Sequence, residues 1–217
     1  MRPCPAKVVV FDFDGVILES ADIKTEAFVE LFSGRPEHLD AIRRHHLANL
    51  GVSRFKKFEF IYRELYREPF DDQVSERLGA AFSNLVLTKV LSAPFVPGAI
   101  SALDDLLGVV RLYVASGTPE TELRHIVERR GLDRYFLAVH GSPKEKTTAI
   151  EETLAETGAA KEELVFVGDG ESDYRAAEST GVRFIARDTP EVHDEWVKAG
   201  VERISDLREL PRALLAR

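Results

Sequence analysis

Two aspartates at the end of an apolar run are the residues of this sequence best suited to chemistry. Val8 to Phe11 form the run, Asp12 and Asp14 follow it, and Gly15 comes next. Such a run is typical of a short buried strand. A desolvated carboxylate is costly unless it is paired or binds a metal. We therefore expect both aspartates at the open carboxyl edge of a sheet, where doubly wound folds bind ligands. The alternative is a solvated Asp-Gly turn.

Three later segments have the same form, an apolar strand that ends in polar residues. They span residues 111–118, 137–142 and 164–173. The residues at or just beyond these ends that bear on chemistry are Ser116, Gly117, Thr118, Lys144, Lys146, Gly168, Asp169 and Asp173. The repetition makes a solvated turn a poor explanation of the first two aspartates.

The order of these groups resembles the motifs of the haloacid dehalogenase superfamily of phosphohydrolases. The family's first motif is Asp-x-Asp after a strand, and Asp12 and Asp14 match it. Its second is a strand-end Ser or Thr, which Ser116 matches. Its third is a lysine, and either Lys146 or Lys144 matches it.

The fourth motif of the family, Gly-Asp-x-x-x-Asp, is matched by Gly168, Asp169 and Asp173. The resemblance extends from Lys7 to about Leu210. It implies an α/β fold, a Rossmann-like doubly wound parallel sheet with an inserted α-helical cap. That arrangement is the one of β-phosphoglucomutase-like and phosphoglycolate-phosphatase-like members.

The order of elements along the chain predicts the same organisation. Strands and helices alternate after residue 93, which indicates right-handed crossovers and a parallel sheet. The predicted core helices span residues 99–107, 119–130, 146–157 and 172–180. Residues 19–93 break the alternation, and their apolar residues recur at helical spacing. The predicted helices there span residues 20–32, 36–50, 55–66 and 71–91. We predict a catalytic core of residues 1–18 and 94–217, and a helical cap of residues 19–93.

Phosphate-ester hydrolysis needs a nucleophile, a proton donor and positive charge around the phosphoryl group. The resemblance makes Asp12 the nucleophile, which forms an aspartyl-phosphate, and Asp14 the general acid and base. It also implies a Mg²⁺ site, formed by the carboxylates of Asp12 and Asp169 and the backbone carbonyl of Asp14. Asp173 would bind a metal water or hold the motif lysine. Its alternative is an acid at a helix N-terminus.

A strand-end hydroxyl group is suited to binding phosphate. Ser116 would donate its hydroxyl to a phosphate oxygen, assisted by the backbone N–H groups of Gly117 and Thr118. Ser116 or Thr118 would equally cap the next helix, and both roles can hold together.

The motif lysine is displaced from its usual place in the family. Many members have Gly-Lys-Pro, whereas this chain has Gly-Ser-Pro at residues 141–143. We favour Lys146 because members with a Ser-Pro-x-x-Lys arrangement use that lysine. Lys144 is the alternative for the same phosphate-binding role.

One segment of the predicted cap is similar to a loop that reaches the substrate in the family. Gly51 followed by Arg54 carries this similarity, and residues 43–46 just upstream are basic. A basic cap surface would attract a phosphorylated anion. The alternative is a solvated helix face.

Composition excludes several classes of protein. The chain has 217 residues and a formal net charge of -8, which argues against binding to nucleic acid. Cys4 is the only cysteine, so neither an intrachain disulfide nor a cysteine-based zinc site is expected. No apolar run is long enough for a membrane span or a signal peptide. We therefore predict a soluble, cytoplasmic protein with no membrane partner.

The sequence predicts a Mg²⁺-dependent phosphatase that acts on a small phosphorylated metabolite, such as a sugar phosphate or a phosphoglycolate-like ester. We expect a monomer or a homodimer. The nearest alternative is a phosphomutase of the β-phosphoglucomutase type. A phosphonatase is less favoured because no clear Schiff-base lysine is visible in the cap. A phospho-accepting signalling module would lack both the insertion and the partner role of Asp14.

Overall fold

Six strands form one sheet in this protein, for which the computed structural model describes residues 6–215. The strands are β1 (Val8–Phe11), β2 (Arg111–Pro119), β3 (Ala138–Ser142), β4 (Leu164–Gly168), β5 (Arg183–Arg187) and β6 (Glu202–Ile204). They are all parallel, and their order is β3-β2-β1-β4-β5-β6. Cys4 lies outside the described residues.

Helices connect these strands. Between β1 and β2 the helices are α1 (Ala21–Leu31), α2 (Leu39–Leu47), α3 (Arg54–Phe60), α4 (Asp72–Ser92) and α5 (Ala99–Leu106). The later helices are α6 (Glu120–Arg129), α7 (Lys146–Thr157), α8 (Glu171–Thr180), α9 (His193–Ala199) and α10 (Leu210–Leu215). Short 3₁₀ turns form at Pro36–His38 and Lys161–Glu163, and a π-helix forms at Ile61–Tyr66.

The central strand β1 is buried on both faces of the sheet. Val9 and Phe11 belong to one hydrophobic cluster, whereas Val8 and Val10 belong to a second. All four side chains are fully buried. A parallel strand that is covered on both faces reads as a continuous apolar run, which is why its sequence does not alternate. The predicted α/β doubly wound fold is confirmed.

The segment from α1 to α4, residues 21–92, is the helical insertion. Strands β1 and β2 are neighbours in the sheet, so this segment interrupts a direct sheet connection. Three aromatic side chains pack at its centre: Phe28, Phe58 and Phe82 have ring centroids 4.8 to 5.9 Å apart. Helix packing, rather than strand pairing, therefore holds the insertion together.

The chain enters and leaves the helical insertion at one place. The N–H of Glu19 donates to the carbonyl of Pro94 at 2.9 Å, and the N–H of Val96 donates to the carbonyl of Ile17 at 3.0 Å. The two connectors therefore run side by side beneath the insertion.

The core helices begin and end within two residues of the predicted bounds. The insertion differs more: α2 stops at Leu47, so residues 48–50, predicted as helix, belong to a loop that spans residues 48–53. The predicted helix 55–66 changes to a π-helix at Ile61. The sequence patterns did not predict α9, β6 or α10. Within residues 6–215, no helix combines the length and the apolar character that crossing a bilayer requires.

Candidate active site

Asp12 lies just beyond β1, and its side chain is 1% exposed. Its backbone N–H donates to the carbonyl of Val167 at 2.8 Å, which continues the pairing of β1 with β4. Its Oδ1 accepts a hydrogen bond from the N–H of Phe13 at 2.7 Å. Its Oδ2 lies 3.1 Å from Lys146 Nζ. The strand and the next peptide therefore fix the orientation of this carboxylate.

Gly15 lets the acidic end of β4 approach the end of β1. Its φ is +80°, a conformation that side chains with a Cβ rarely adopt. A Cβ on Gly15 would lie 1.9 Å from Oδ2 of Asp169. A residue without a side chain is therefore required here, both for backbone conformation and for the position of the Asp169 carboxylate.

Three buried carboxylates converge at this edge of the sheet. Oxygens of Asp12, Asp169 and Asp173 lie within 4.8 Å of one another. Lys146 Nζ lies 2.5 Å from Asp173 Oδ1, and the N–H of Gly170 donates to Asp173 Oδ2 at 3.0 Å. Asp169 has no hydrogen-bond donor or ion-pair partner within residues 6–215. An unpartnered buried carboxylate beside a second one fits a small divalent cation with oxygen ligands.

The charges of this cluster oppose one another. Burial raises the pKa of Asp12 above its usual range, and the negative charges of Asp173 and Asp14 add to the effect although Lys146 opposes it. Burial and the charges of Asp12 and Asp173 raise the pKa of Asp169 well above its usual range. Burial disfavours the ammonium of Lys146, but Asp12 and Asp173 outweigh burial and raise its pKa. One lysine among three carboxylates leaves an excess of negative charge that a cation would offset.

Asp14 is held apart from this cluster by α1. Its carboxylate is paired with Lys24 and accepts hydrogen bonds from Ser20 Oγ at 2.6 Å and Thr118 Oγ1 at 2.8 Å. Burial opposes ionisation of Asp14, but the charge and hydrogen bond of Lys24 outweigh burial and lower its pKa. The pKa values of the two aspartates of the first motif are therefore shifted in opposite directions, and Asp14 is the stronger acid.

The hydroxyl-bearing end of β2 faces the same edge. Ser116 is 3% exposed, and its Oγ accepts a hydrogen bond from the N–H of Thr118 at 3.3 Å. Thr118 Oγ1 also accepts a hydrogen bond from Lys24 Nζ at 2.6 Å. A Cβ on Gly117 would lie 2.3 Å from the carbonyl oxygen of Gly51, so the insertion loop closes directly over this strand end.

The two candidate lysines lie in different environments. Lys146 opens α7, is 8% exposed and contacts both Asp12 and Asp173. Lys144 Nζ lies 3.1 Å from His140 Nδ1 and is paired with the exposed Glu152. The structure thus brings Lys146 to the carboxylates and leaves Lys144 outside them.

A cavity separates the sheet edge from the helical insertion. The core residues that line it include Asp12, Asp14, Ser116, Gly117, Thr118 and Asp169. The insertion residues that line it include Lys24, Phe28, His46, Gly51, Arg54, Lys57 and Phe82. The helical insertion and the core therefore enclose one space together.

Arg54 lines the cavity, but its guanidinium already has partners. Its Nη2 lies 2.6 Å from Glu122 Oε1 and its Nη1 lies 3.1 Å from Glu122 Oε2, on α6 of the core. Its Nη1 also donates to Ser83 Oγ at 2.9 Å. The side chains of Arg54 and Glu122 are 4% and 10% exposed. This buried ion pair fastens the insertion to the core, and the substrate contact of Arg54 stays a prediction.

Sequence reasoning did not single out Lys24 and Lys57 of this cavity, and it treated His46 only as part of the basic stretch 43–46. All three residues lie on helices of the insertion and line the cavity. Ser20 and Lys24 are spaced so that both reach Asp14, which is a weak signal for Lys24. A lysine at a helical position is ordinarily a solvated residue, so the sequence pattern gave no comparable signal for Lys57.

The sequence matches the model of a known protein family over residues 6–181; its description is "Hydrolase: haloacid dehalogenase-like hydrolase". No curated protein sequence matches the chain.

Several solved structures share the fold. A mutant of CbbY from Rhodobacter sphaeroides, in complex with xylulose-(1,5)bisphosphate, is 17% identical with a TM-score of 0.77, over 98% of this chain and 100% of that one. A predicted phosphatase from Clostridium acetobutylicum is 20% identical with a TM-score of 0.75, over 98% and 99% of the two chains. A predicted phosphoglycolate phosphatase from Haemophilus somnus is 14% identical with a TM-score of 0.72, over 97% and 98%. At these identities the likeness concerns the fold.

Proposed function

Because this chain belongs to the family of haloacid dehalogenase-like hydrolases, we propose that it is a Mg²⁺-dependent phosphatase of small phosphorylated metabolites. The reaction would proceed through an aspartyl-phosphate on Asp12. The xylulose-(1,5)bisphosphate in the CbbY structure and the predicted phosphatase activities of the other two similar structures agree with this proposal. A cytoplasmic location and a monomeric or homodimeric state stay predictions.

The observation that carries the proposal is the meeting of side chains that follow four strands at one edge of the sheet, beside the cavity. The carboxylate of Asp12 lies 3.1 Å from Lys146, and oxygens of Asp169 and Asp173 lie within 4.8 Å of it and of each other. Ser116 lines the same cavity. A nucleophile, a cation and a hydroxyl donor are the parts that phosphoryl transfer needs.

In the first step, a carboxylate oxygen of Asp12 attacks phosphorus and the bond to the ester oxygen breaks. Lys146 holds the charge on the Asp12 carboxylate in place, while Ser116 donates its hydroxyl to a phosphoryl oxygen. Asp14 transfers a proton to the departing ester oxygen. An incoming phosphate group competes for Lys24, which weakens the hold of Lys24 on Asp14 and favours protonation of Asp14.

In the second step, Asp14 is a carboxylate again and takes a proton from water. The resulting hydroxide attacks phosphorus, and the bond between phosphorus and Asp12 breaks. Inorganic phosphate leaves and the Asp12 carboxylate is restored. The hydrogen bonds from Ser20 and Thr118 keep the Asp14 carboxylate in one position.

The Mg²⁺ ligands that we propose are the carboxylates of Asp12 and Asp169 and the backbone carbonyl of Asp14. When bound, Mg²⁺ supplies positive charge that offsets the repulsion between an anionic nucleophile and an anionic ester. Asp173 was predicted either to bind a metal water or to hold the motif lysine. Its contact with Lys146 at 2.5 Å supports the second role.

We further propose that residues 19–93 act as a cap on a core of residues 1–18 and 94–217. The adjacent connectors support this division, since an insertion joined at one place can move as a unit. Gly117 and Arg54 would then also take part in binding, the first through its N–H group and the second from the cap.

Turnover of a generic phosphate ester with and without Mg²⁺ tests this function. We expect release of inorganic phosphate with Mg²⁺, loss of activity in excess chelator and recovery when Mg²⁺ is restored. Ca²⁺ should inhibit, because its larger coordination shell disturbs the in-line geometry.

Full activity in excess chelator would remove the metal from the proposal. Isomerisation of a sugar phosphate without release of phosphate would show a phosphomutase instead. Phosphorylation of the protein without turnover would show a signalling module.

A further inference from the structure

Lys57 differs from the other cations in or beside the cavity in the group that it pairs with. Lys24, Lys146 and Arg54 each contact a carboxylate. Lys57, on α3, is 3% exposed and lines the same cavity. Within residues 6–215 it has no carboxylate at ion-pair distance, and its hydrogen-bonding partner is His46, with Nζ 3.1 Å from Nδ1. A buried ammonium without a counter-charge is costly unless something else supplies that charge.

His46 adds a second unsatisfied donor at this place. Burial, together with the charges of Lys57 and Lys24, lowers the pKa of His46 to about 2, so its ring is neutral. Because Nδ1 accepts from the Lys57 ammonium, the single ring proton must lie on Nε2. Nε2 is buried and has no hydrogen-bond partner in the described part of the chain. His46 also lines the cavity. Buried donors without partners are rare in folded proteins and require an explanation.

We propose that Lys57, positioned by His46, binds a second anionic group of the substrate, a carboxylate or a phosphate on the part that leaves phosphorus. This inference rests on the phosphatase function proposed above. Lys57 belongs to the helical insertion and Asp12 to the core, and both line one cavity. A small ester with an anionic group at each end would therefore meet Ser116 of the core with one group and Lys57 of the insertion with the other.

The neighbouring residue, Lys56, shows where a lysine that binds no ligand usually lies. Lys56 is 60% exposed and pairs with Glu145 at 2.5 Å, with its charged group in solvent. Lysine ordinarily extends its ammonium to water in this way. Lys57, one residue on, holds its ammonium inside the cavity, 5.5 Å from the centroid of the Phe28 ring. The aliphatic part of the Lys57 side chain could pack here with its ammonium still in solvent, so packing alone does not explain why the charge is buried.

Selectivity between esters of similar size tests the proposal. The probes are phosphoglycolate, which carries a carboxylate, propanediol bisphosphate, which carries a second phosphate, and propyl phosphate, which has an uncharged tail. We expect the wild type to prefer at least one charged ester. Lys57→Met should lower kcat/KM for that ester by about tenfold to a hundredfold more than for propyl phosphate, the range of a lost hydrogen bond to a charged group. Lys57→Gln provides a second variant.

Lys56→Met is the matched control, and its selectivity should equal that of the wild type. The two charged probes separate a carboxylate subsite from a phosphate subsite. The proposed subsite would be overturned if the wild type had equal kcat/KM for charged and uncharged esters. It would also be overturned if Lys57→Met kept the selectivity of the wild type. Hydrolysis of propyl phosphate in either case would leave the phosphatase function standing. If no ester is hydrolysed, the proposed function falls, and the subsite falls with it.

Discussion

The sheet edge and the helical insertion each leave one charge in the cavity without a partner, and the two charges are opposite. At the sheet edge the group is the carboxyl of Asp169, which has no donor among the described residues; burial raises its pKa well above its usual range, so its negative form lacks a partner. In the insertion the group is the ammonium of Lys57, which among the described residues has the neutral His46 as its hydrogen-bonding partner and no carboxylate at ion-pair distance. We infer that the two regions bind different ligands. The core lacks a cation and would bind a metal ion, whereas the insertion lacks an anion and would bind an anionic group of the substrate.

The largest expected effect comes from removing the nucleophile of the core. Asp12→Asn should lower kcat by about a thousandfold or more, because no other group can form the covalent intermediate. The melting temperature should change little, since burial already opposes the charge of Asp12. The exposed Asp133 gives the matched control, and Asp133→Asn should behave as wild type. Steady-state kinetics with a thermal melt checks both, and near-wild-type activity of Asp12→Asn would remove the covalent mechanism.

The second effect concerns the contact between the two regions. Gly51 has a φ of +75°, and a Cβ there would lie 2.5 Å from Lys146 Nζ and 2.4 Å from Ser172 Oγ. Gly51→Ala should therefore displace the insertion loop from the site and lower kcat/KM by about a hundredfold, the cost of misplacing groups by an ångström.

Gly34 is the control for this substitution. It is a glycine of the insertion without a positive φ, and a Cβ there would meet nothing within 4 Å. Gly34→Ala should leave kcat/KM unchanged. If Gly51→Ala also leaves kcat/KM unchanged, the enzyme does not turn over substrate with the insertion and the core in this closed arrangement.

The third effect separates two roles of Arg54. Loss of the Arg54–Glu122 ion pair should lower kcat/KM and cost about 3 kcal/mol of stability, because one charge stays buried without its partner. Glu122→Gln removes the pair but keeps Arg54. A direct substrate contact predicts that Arg54→Ala lowers kcat/KM for the preferred ester about tenfold more than Glu122→Gln does. Equal losses in the two variants would restrict Arg54 to fastening the insertion.

The smallest effect is a pH dependence of selectivity. Burial lowers the pKa of Lys57 to about 7, helped by the charges of Lys24 and Lys146 and opposed by Asp169 and Asp14. The side chain is charged below this pKa and neutral above it. The preference in kcat/KM for a charged over an uncharged ester should therefore fall severalfold from pH 6 to pH 8, since kcat/KM follows groups of the free enzyme. In Lys57→Met the ratio should be flat, and an equal slope there would assign the titration to another group.

The same contrast explains how far the sequence could predict this molecule. The position of the core residues could be predicted from the sequence, because the carboxyl ends of parallel strands always lie at the same edge of the sheet. Short local motifs therefore sufficed to bring Asp12, Ser116, Lys146 and Asp169 together, and Gly15 stood beside them in the first motif. The choice between Lys144 and Lys146 needed the structure, which places only Lys146 against the carboxylates.

For the insertion, the sequence predicted the helices but not which of their faces meet the cavity. Which face of α3 meets the cavity depends on the packing of Phe28, Phe58 and Phe82, and helical spacing alone does not fix that. Lys56 and Lys57 are adjacent and chemically identical, yet one is in solvent and the other in the cavity. The loop at residues 48–53 was predicted as helix in part, and it is this loop that brings Gly51 to Lys146.

The central claim is that Asp12 carries the phosphoryl group during turnover. Acid quenching during hydrolysis of a phosphate ester, followed by reduction with borohydride, converts an aspartyl-phosphate into homoserine, and peptide mass spectrometry locates it. The account predicts homoserine at residue 12 of the wild type, dependent on ester and Mg²⁺, with residue 14 unmodified. Turnover with no modification at residue 12, or with modification at another carboxylate, would contradict it.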